Sequence, residues 1–241
     1  MRDRLRKTVT EGRCDGRLVW AVALLTAVLQ SVIFVFFHPG YNYDVLMRYA
    51  PMADEFAAGN WYYAFHPKYG VFMSVAAGSL RWLSGMTGET ACRMVSTFGW
   101  CLSAVPLWHF TRRSFGRGAA WLSIALLLTV PAYADYASAG LRDGVRILSY
   151  ALIGYGFLFS APWLAVGLFI QVTLRMDGIV VGCAVWAVWT LLSLWRRRRG
   201  GLLPPALALL SGLLADCAMV HAYTGYFLPS SSFIGLFGGA L

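Results

Sequence analysis

The chain has 241 residues, 59% of them hydrophobic and 13% charged, with a formal net charge of +9 and a mean hydropathy of +0.60. That much apolar side chain excludes an ordinary water-soluble domain and points to an all-α, polytopic helical membrane protein. The apolar runs lack the alternation of barrel strands, and at ~20 residues per spanning helix the length allows about eight or nine crossings.

Placement of the basic residues argues against nucleic acid as a partner. Thirteen of the 20 Lys and Arg fall in three clusters. These are Arg2, Arg4, Arg6, Lys7, Arg13 and Arg17; then Arg112, Arg113 and Arg117; then Arg196, Arg197, Arg198 and Arg199. Each abuts an apolar run, the positive-inside pattern, so all three are expected on the cytoplasmic side. The five cysteines, Cys14, Cys92, Cys101, Cys183 and Cys217, form no CxxC pair. They read as small apolar helix residues without a disulfide framework.

In chain order, residues 1–17 read as a cytoplasmic basic tail. No small-residue cleavage site closes the first apolar run, so residues 18–37 are predicted as a retained outward span, ended by His38, Pro39 and Gly40. An outer loop over 38–88 follows. Within it, residues 43–58 carry Leu46, Tyr49, Met52 and Phe56 at helical spacing, Pro51 should kink or split the helix, and Gly59-Asn60 should stop it. Residues 69–83 are short for a crossing and carry a Gly70, Ser74, Gly78 stripe suited to close helix packing. If they crossed, the Arg112–Arg117 cluster would land outside, so they are expected at the outer interface. Further spans are predicted over 89–110 (inward), 118–133 (outward), 143–159 (inward), 162–174 (outward), 179–195 (inward) and 203–223 (outward). The segment 134–142 reads as a short outer loop, and residues 225–241 as an apolar tail. The transmembrane module is 18–224, with about seven spans and interfacial helices in the first loop.

On this topology the remaining basic residues, Arg48, Lys68, Arg81, Arg93, Arg142, Arg146 and Arg175, lie outside or in the outer half. Most of the acids join them: Asp44, Asp54, Glu55, Glu89, Asp135, Asp143 and Asp177. Charges near a bilayer are costly, so they should converge on each other or on a charged ligand. A mixed set of carboxylates and guanidiniums suits a phosphate-bearing lipid: arginine binds phosphate bidentately, and a carboxylate takes a proton from an attacking hydroxyl. Plainer readings stand beside this one. Asp44 and Arg48 are also spaced to pair on an exposed helix face. Asp54 and Glu55 read as solvated helix charges, Arg142-Asp143 as a helix-start pair, Arg175 and Asp177 as an interfacial ion pair, and His66 as a satisfied loop histidine. Asp216, inside the last span, needs a polar partner there. No HExxH or Cys/His cluster suggests a metal site, and no cofactor is implied.

The order of these features resembles the GT-C membrane glycosyltransferases, in particular glycosyltransferase family 39, the protein O-mannosyltransferase and lipid A aminoarabinose transferase group. The resemblance runs over about residues 17–200. It rests on Asp44 opening the outer loop, Gly59-Asn60-Trp61, His66-Pro67-Lys68-Tyr69, Arg112-Arg113-Ser114-Phe115-Gly116-Arg117, Leu141-Arg142-Asp143 and Leu174-Arg175-Met176-Asp177-Gly178. Two departures stand out. Val45 occupies the place where the family usually has a second acid, and the chain stops after the seventh span where family enzymes continue.

The resemblance implies sugar transfer from a polyprenyl-phosphate donor to an acceptor on the outer face. Asp44 would be the general base, with Asp143 orienting the cations or the acceptor. Lys68, Arg142, Arg175 and His66 would bind the donor phosphate. The implied partners are the lipid-linked sugar and membrane lipids, in a bacterial inner membrane with the N-terminus cytoplasmic. The alternative is a non-catalytic GT-C module acting as a scaffold or lipid-linked-sugar binder. A transporter is disfavoured, because broken helices in repeated halves are not visible.

Overall fold

The computed structural model describes residues 2–37, 40, 42–65, 70–174, 177–195 and 202–224. Among these residues there is no strand, and the chain is a bundle of helices. Helix α1, Arg2–Phe37, is 36 residues long, so it extends about 54 Å, well past the apolar thickness of a bilayer.

Two contacts fix how α1 runs. Near its C-terminal end the Phe34 carbonyl accepts from Arg93 Nη1 at 3.0 Å. Near its N-terminal part the Asp15 carboxylate meets Arg117 Nη2 at 2.8 Å. Arg93 lies in α5, Gly88–Leu102, and Arg117 begins α7, directly after α6, Ala104–Phe115. Helix α1 is therefore antiparallel to the α5–α6 rod, and the bundle has two distinct ends. The basic end holds Arg17 with Arg112, Arg113 and Arg117. The loop end holds Phe34, the start of α5 and the first long loop.

That loop is mostly helical. A π-helical turn, Val45–Tyr49, leads into α2, Ala50–Ala57, then α3, Trp61–Ala64, and α4, Phe72–Ser84. Pro51 does not split the helix: it sits in the first turn of α2, where a missing N–H is tolerated, and the backbone runs on helically through Tyr49 and Ala50, changing only from π to α hydrogen bonding. Gly59, at φ +79°, ends the segment. Helix α4 has 13 residues, about 20 Å, which is short of the ~30 Å a crossing needs. It packs against α2 and α5. The Val71 N–H donates to the Thr173 carbonyl at 2.8 Å, and Gly70, at φ +74°, is so close to the Leu174 carbonyl that a Cβ would lie 2.5 Å from its oxygen. These contacts tie the loop to the end of α10, Ala161–Leu174.

The remaining helices are α8, Pro131–Ser138, α9, Asp143–Phe159, α11, Asp177–Trp195, and α12, Leu203–Thr224. Three sequence expectations change. The span expected over 89–110 is divided at Ser103 into α5 and α6. Pro106 has no N–H to give the Leu102 carbonyl, and Ser103 Oγ bonds the Trp100 carbonyl at 2.5 Å. The span expected over 118–133 is α7, Arg117–Thr129, bent by 51° into α8. Val130, extended ahead of Pro131 as residues before proline tend to be, makes the corner. The outer loop expected over 134–142 is thus half helix. The buried indole N–H of Trp100 donates to the Leu127 carbonyl at 3.1 Å, in the last turn of α7, and holds this corner against α5.

Among the described residues, Asp15–Phe34 and Gly178–Trp195 are long and apolar enough to cross a membrane, and α7 with α8 makes a third if the bent pair is one span. Ala161–Leu174 and Leu203–Ala218 are apolar but shorter.

Candidate functional site

The loop end is built on one buried seam. Asn42 starts it: its carbonyl accepts from the N–H groups of Val45 and Leu46, and its side-chain oxygen accepts from the Asp44 N–H at 2.9 Å. The turn that follows is π rather than α, with the Ala50 N–H reaching the Val45 carbonyl. Such one-residue expansions are frequent at functional sites. The turn buries Val45 and Tyr49, and α2 continues the face with Ala50, Met52 and Ala53. These side chains join Met73 and Ala77 of α4, Ala91 and Cys92 of α5, Val145 and Leu152 of α9, and Ile170 and Leu174 of α10 in one core.

Asp44 and Arg48 stand on the outer side of this turn, in an ion pair of 2.9 Å, with the carboxylate side chain 44% exposed. The start of α9 arrives next to the turn. The methyl groups of Val45 face Gly140, and the Arg142 guanidinium lies 5.9 Å from the Tyr49 ring centroid. Helix α9 is held there by close contact with α5. Gly144 is seated on the Ser96 backbone carbonyl, where a Cβ would come within 2.0 Å of the oxygen, and Ser96 Oγ donates to the Leu141 carbonyl. The turn carrying Asp44 and the helix start carrying Arg142 and Asp143 therefore share one contact surface. His66, Lys68 and Arg175 lie outside the described residues. Gly70 and Leu174, near them in sequence, touch each other.

A second charged group, whose members the sequence names without their pairing, lies on the other side of α2. Asp54 is ion-paired with Arg81 of α4 and packs on Gly88 at the start of α5. Burial pushes its carboxyl above the usual aspartate range; Arg81 opposes this, while the nearby negative charge of Glu89 adds to it, and a hydrogen bond to the Gly88 backbone lowers it slightly. Asp54 is thus a strut between three helices rather than a solvated helix charge. Glu55 accepts from Asn60 Nδ2 at 2.8 Å and pins the chain reversal after α2. Phe56, Trp61 and Phe65 close the loop with ring centroids 5.6–6.1 Å apart, and Phe56 covers Gly78 of the small-residue stripe.

No group of three or more His, Cys, Asp or Glu side chains among the described residues could hold a metal ion. What the arrangement offers is a half-exposed carboxylate with two guanidiniums, those of Arg48 and Arg142, on one surface. No family model, curated protein or solved structure matches the chain.

Proposed function

We propose that the chain is an integral membrane glycosyltransferase that moves a sugar from a polyprenyl-phosphate donor to an acceptor at the loop end, on the outer face of a bacterial inner membrane. About seven spans would carry it, with α5–α6 and the bent α7–α8 pair each counted as one crossing and α4 lying at the interface. The Asp15–Arg117 pair supports a common side for the first two basic clusters, and the positive-inside rule makes that side the cytoplasm.

The observation that carries the reading is the seam that brings the Asp44 turn against the Arg142-Asp143 helix start. Asp44 serves as the base that takes the proton of the acceptor hydroxyl, and Arg48 orients its carboxylate. The hydroxyl oxygen forms a bond to the anomeric carbon as the bond to the lipid phosphate breaks, with inversion. The departing phosphate gains negative charge, which Arg142, Lys68, Arg175 and His66 are suited to hold by charge-assisted hydrogen bonds. Asp143 orients Arg142.

The test is turnover of a polyprenyl-phosphate-linked sugar by purified protein. Asp44→Asn keeps the size of the side chain and removes the proton acceptor, so transfer should fall about 10²–10⁴-fold with donor binding near wild type. Unchanged transfer in Asp44→Asn sinks the mechanism. The exposed i,i+4 pairing of Asp44 with Arg48 favours a second reading, a non-catalytic module that binds lipid-linked sugar. On that reading wild type shows no transfer, and Asp44→Asn costs at most ~0.5 kcal/mol of helix stability.

A further inference from the structure

Nearer the basic end, a cavity of about 300 Å³ opens on the side of the bundle. Its flanks are Trp20 of α1 and Trp163 and Val166 of α10, each nearly half exposed. Val105 and His109 of α6 and Tyr155 of α9 line it from within. Its wall is mostly apolar, and its volume is at the lower edge of small-molecule pockets, room for part of one acyl chain.

One turn beyond His109 on the same face of α6 comes Arg113. Its guanidinium carbon lies 5.5 Å from the Tyr155 ring centroid and 5.1 Å from that of Phe159, and the His109 ring is 5.8 Å from Tyr155. Contact of this kind between a cation and ring faces does not use up the N–H donors, which remain for an acceptor. Arg117 already has a carboxylate partner in Asp15. Arg113 has none among the described residues, and it is exposed. Arg112 stands on the neighbouring face, over Trp108 at 4.8 Å, and Trp108 packs on Trp121 of α7.

We propose that this groove is a binding site for an anionic phospholipid of the leaflet at the basic end. One acyl chain lies between Trp20 and Trp163, and Arg113 grips the phosphate. An apolar slot ending in an aromatic-backed guanidinium is complementary to that ligand in both shape and charge, and the cytoplasmic leaflet, where the positive-inside rule puts this end, is rich in anionic lipid. The proposal rests on the membrane reading but not on sugar transfer.

The experiment is native mass spectrometry of the full chain in detergent, with dioleoyl phosphatidylglycerol and dioleoyl phosphatidylcholine as competing probes. Wild type should retain phosphatidylglycerol roughly fivefold better, the ratio expected for one basic residue acting on an anionic headgroup. Arg113→Gln should bring that ratio close to one, with the larger loss in phosphatidylglycerol retention. Val166→Trp should lower retention of both lipids by filling the slot. Arg112→Gln, which removes the same charge from the neighbouring face, should keep the preference. Equal retention of the two lipids by wild type overturns the proposal. So does equal loss of preference in Arg112→Gln and Arg113→Gln, which would mean a diffuse charge effect. Arg113 is on the surface, so its variant remains decisive if Val166→Trp fails to fold.

Discussion

Gly144→Ala is the sharpest probe of the seam that positions Arg142 and Asp143. The added methyl would sit 2.0 Å from the Ser96 carbonyl oxygen and 2.8 Å from both the Ser96 carbonyl carbon and Oγ, where ordinary contact begins at 3.4 Å. The opposing atoms are mostly backbone, so no side chain can swing aside. Helices α5 and α9 must part by about 1.4 Å at this point, a figure that follows from those two distances. Overpacking of this kind costs ~1–3 kcal/mol. Separation also weakens the bond from Ser96 Oγ to the Leu141 carbonyl, a net ~0.5–1.5 kcal/mol. The expected loss is therefore about 1.5–4.5 kcal/mol. Gly154 supplies the control on the same helix: nothing lies within 4 Å of the place its methyl would take, so Gly154→Ala should gain roughly 0.5–1 kcal/mol from helix propensity. Reversible unfolding in mixed micelles measures both. If the two variants fall within about 0.5 kcal/mol of each other, α9 is not held by the Gly144–Ser96 contact and the geometry given for the loop end is wrong.

Other outcomes follow from the same structure. Ser114, exposed in the last turn of α6, should resist an impermeant thiol reagent added outside intact cells when changed to cysteine; ready labelling would put the basic end outside. The carboxyl of Asp54 titrates higher in the folded chain than the ordinary 3.8. Its contribution to stability is therefore fully present below about that pH and is lost as pH rises through the folded value. Asp54→Asn should flatten the decline of melting temperature over that acidic range, and an unchanged slope would mean the carboxyl is not perturbed.

Much of the helix layout was legible because its signals are local. Arg142-Asp143 marks the start of α9, Pro162 lies in the first turn of α10, and Gly59 takes a positive φ at the end of the loop helix. The break at Ser103 was harder to read. Pro106 signals it, but the apolar run continues through it without a polar gap. The corner at Val130 was hidden for a similar reason, since 134–142 is polar enough to look like a loop and its helix forms only against α5. The Asp54–Arg81 pair could not be read from spacing, because it joins α2 to α4 across the return of the chain. At the candidate site, the sequence put Asp44 and Arg48 one turn apart, and they are paired. The approach of Arg142 to Tyr49 depends instead on Gly144 and Gly140 admitting α9 next to the loop.

The π turn at Val45–Tyr49 has an implication for how this surface can vary. A π turn is an α-helical turn that has taken in one residue, so the chain can give that residue back. Deleting one residue here would leave Tyr49, Met52 and Ala53 anchored in the core while turning Asp44 and Val45 by about 100°, the arc of one residue, which takes Val45 off Gly140. Asp44 would swing away from its present bearing, and another side chain would have to fill the place of Val45 in the core. The turn thus acts as an adjustable joint between a fixed scaffold and the acidic rim. Length variants among close homologues at this point would change which side chain faces the start of α9 while preserving the fold.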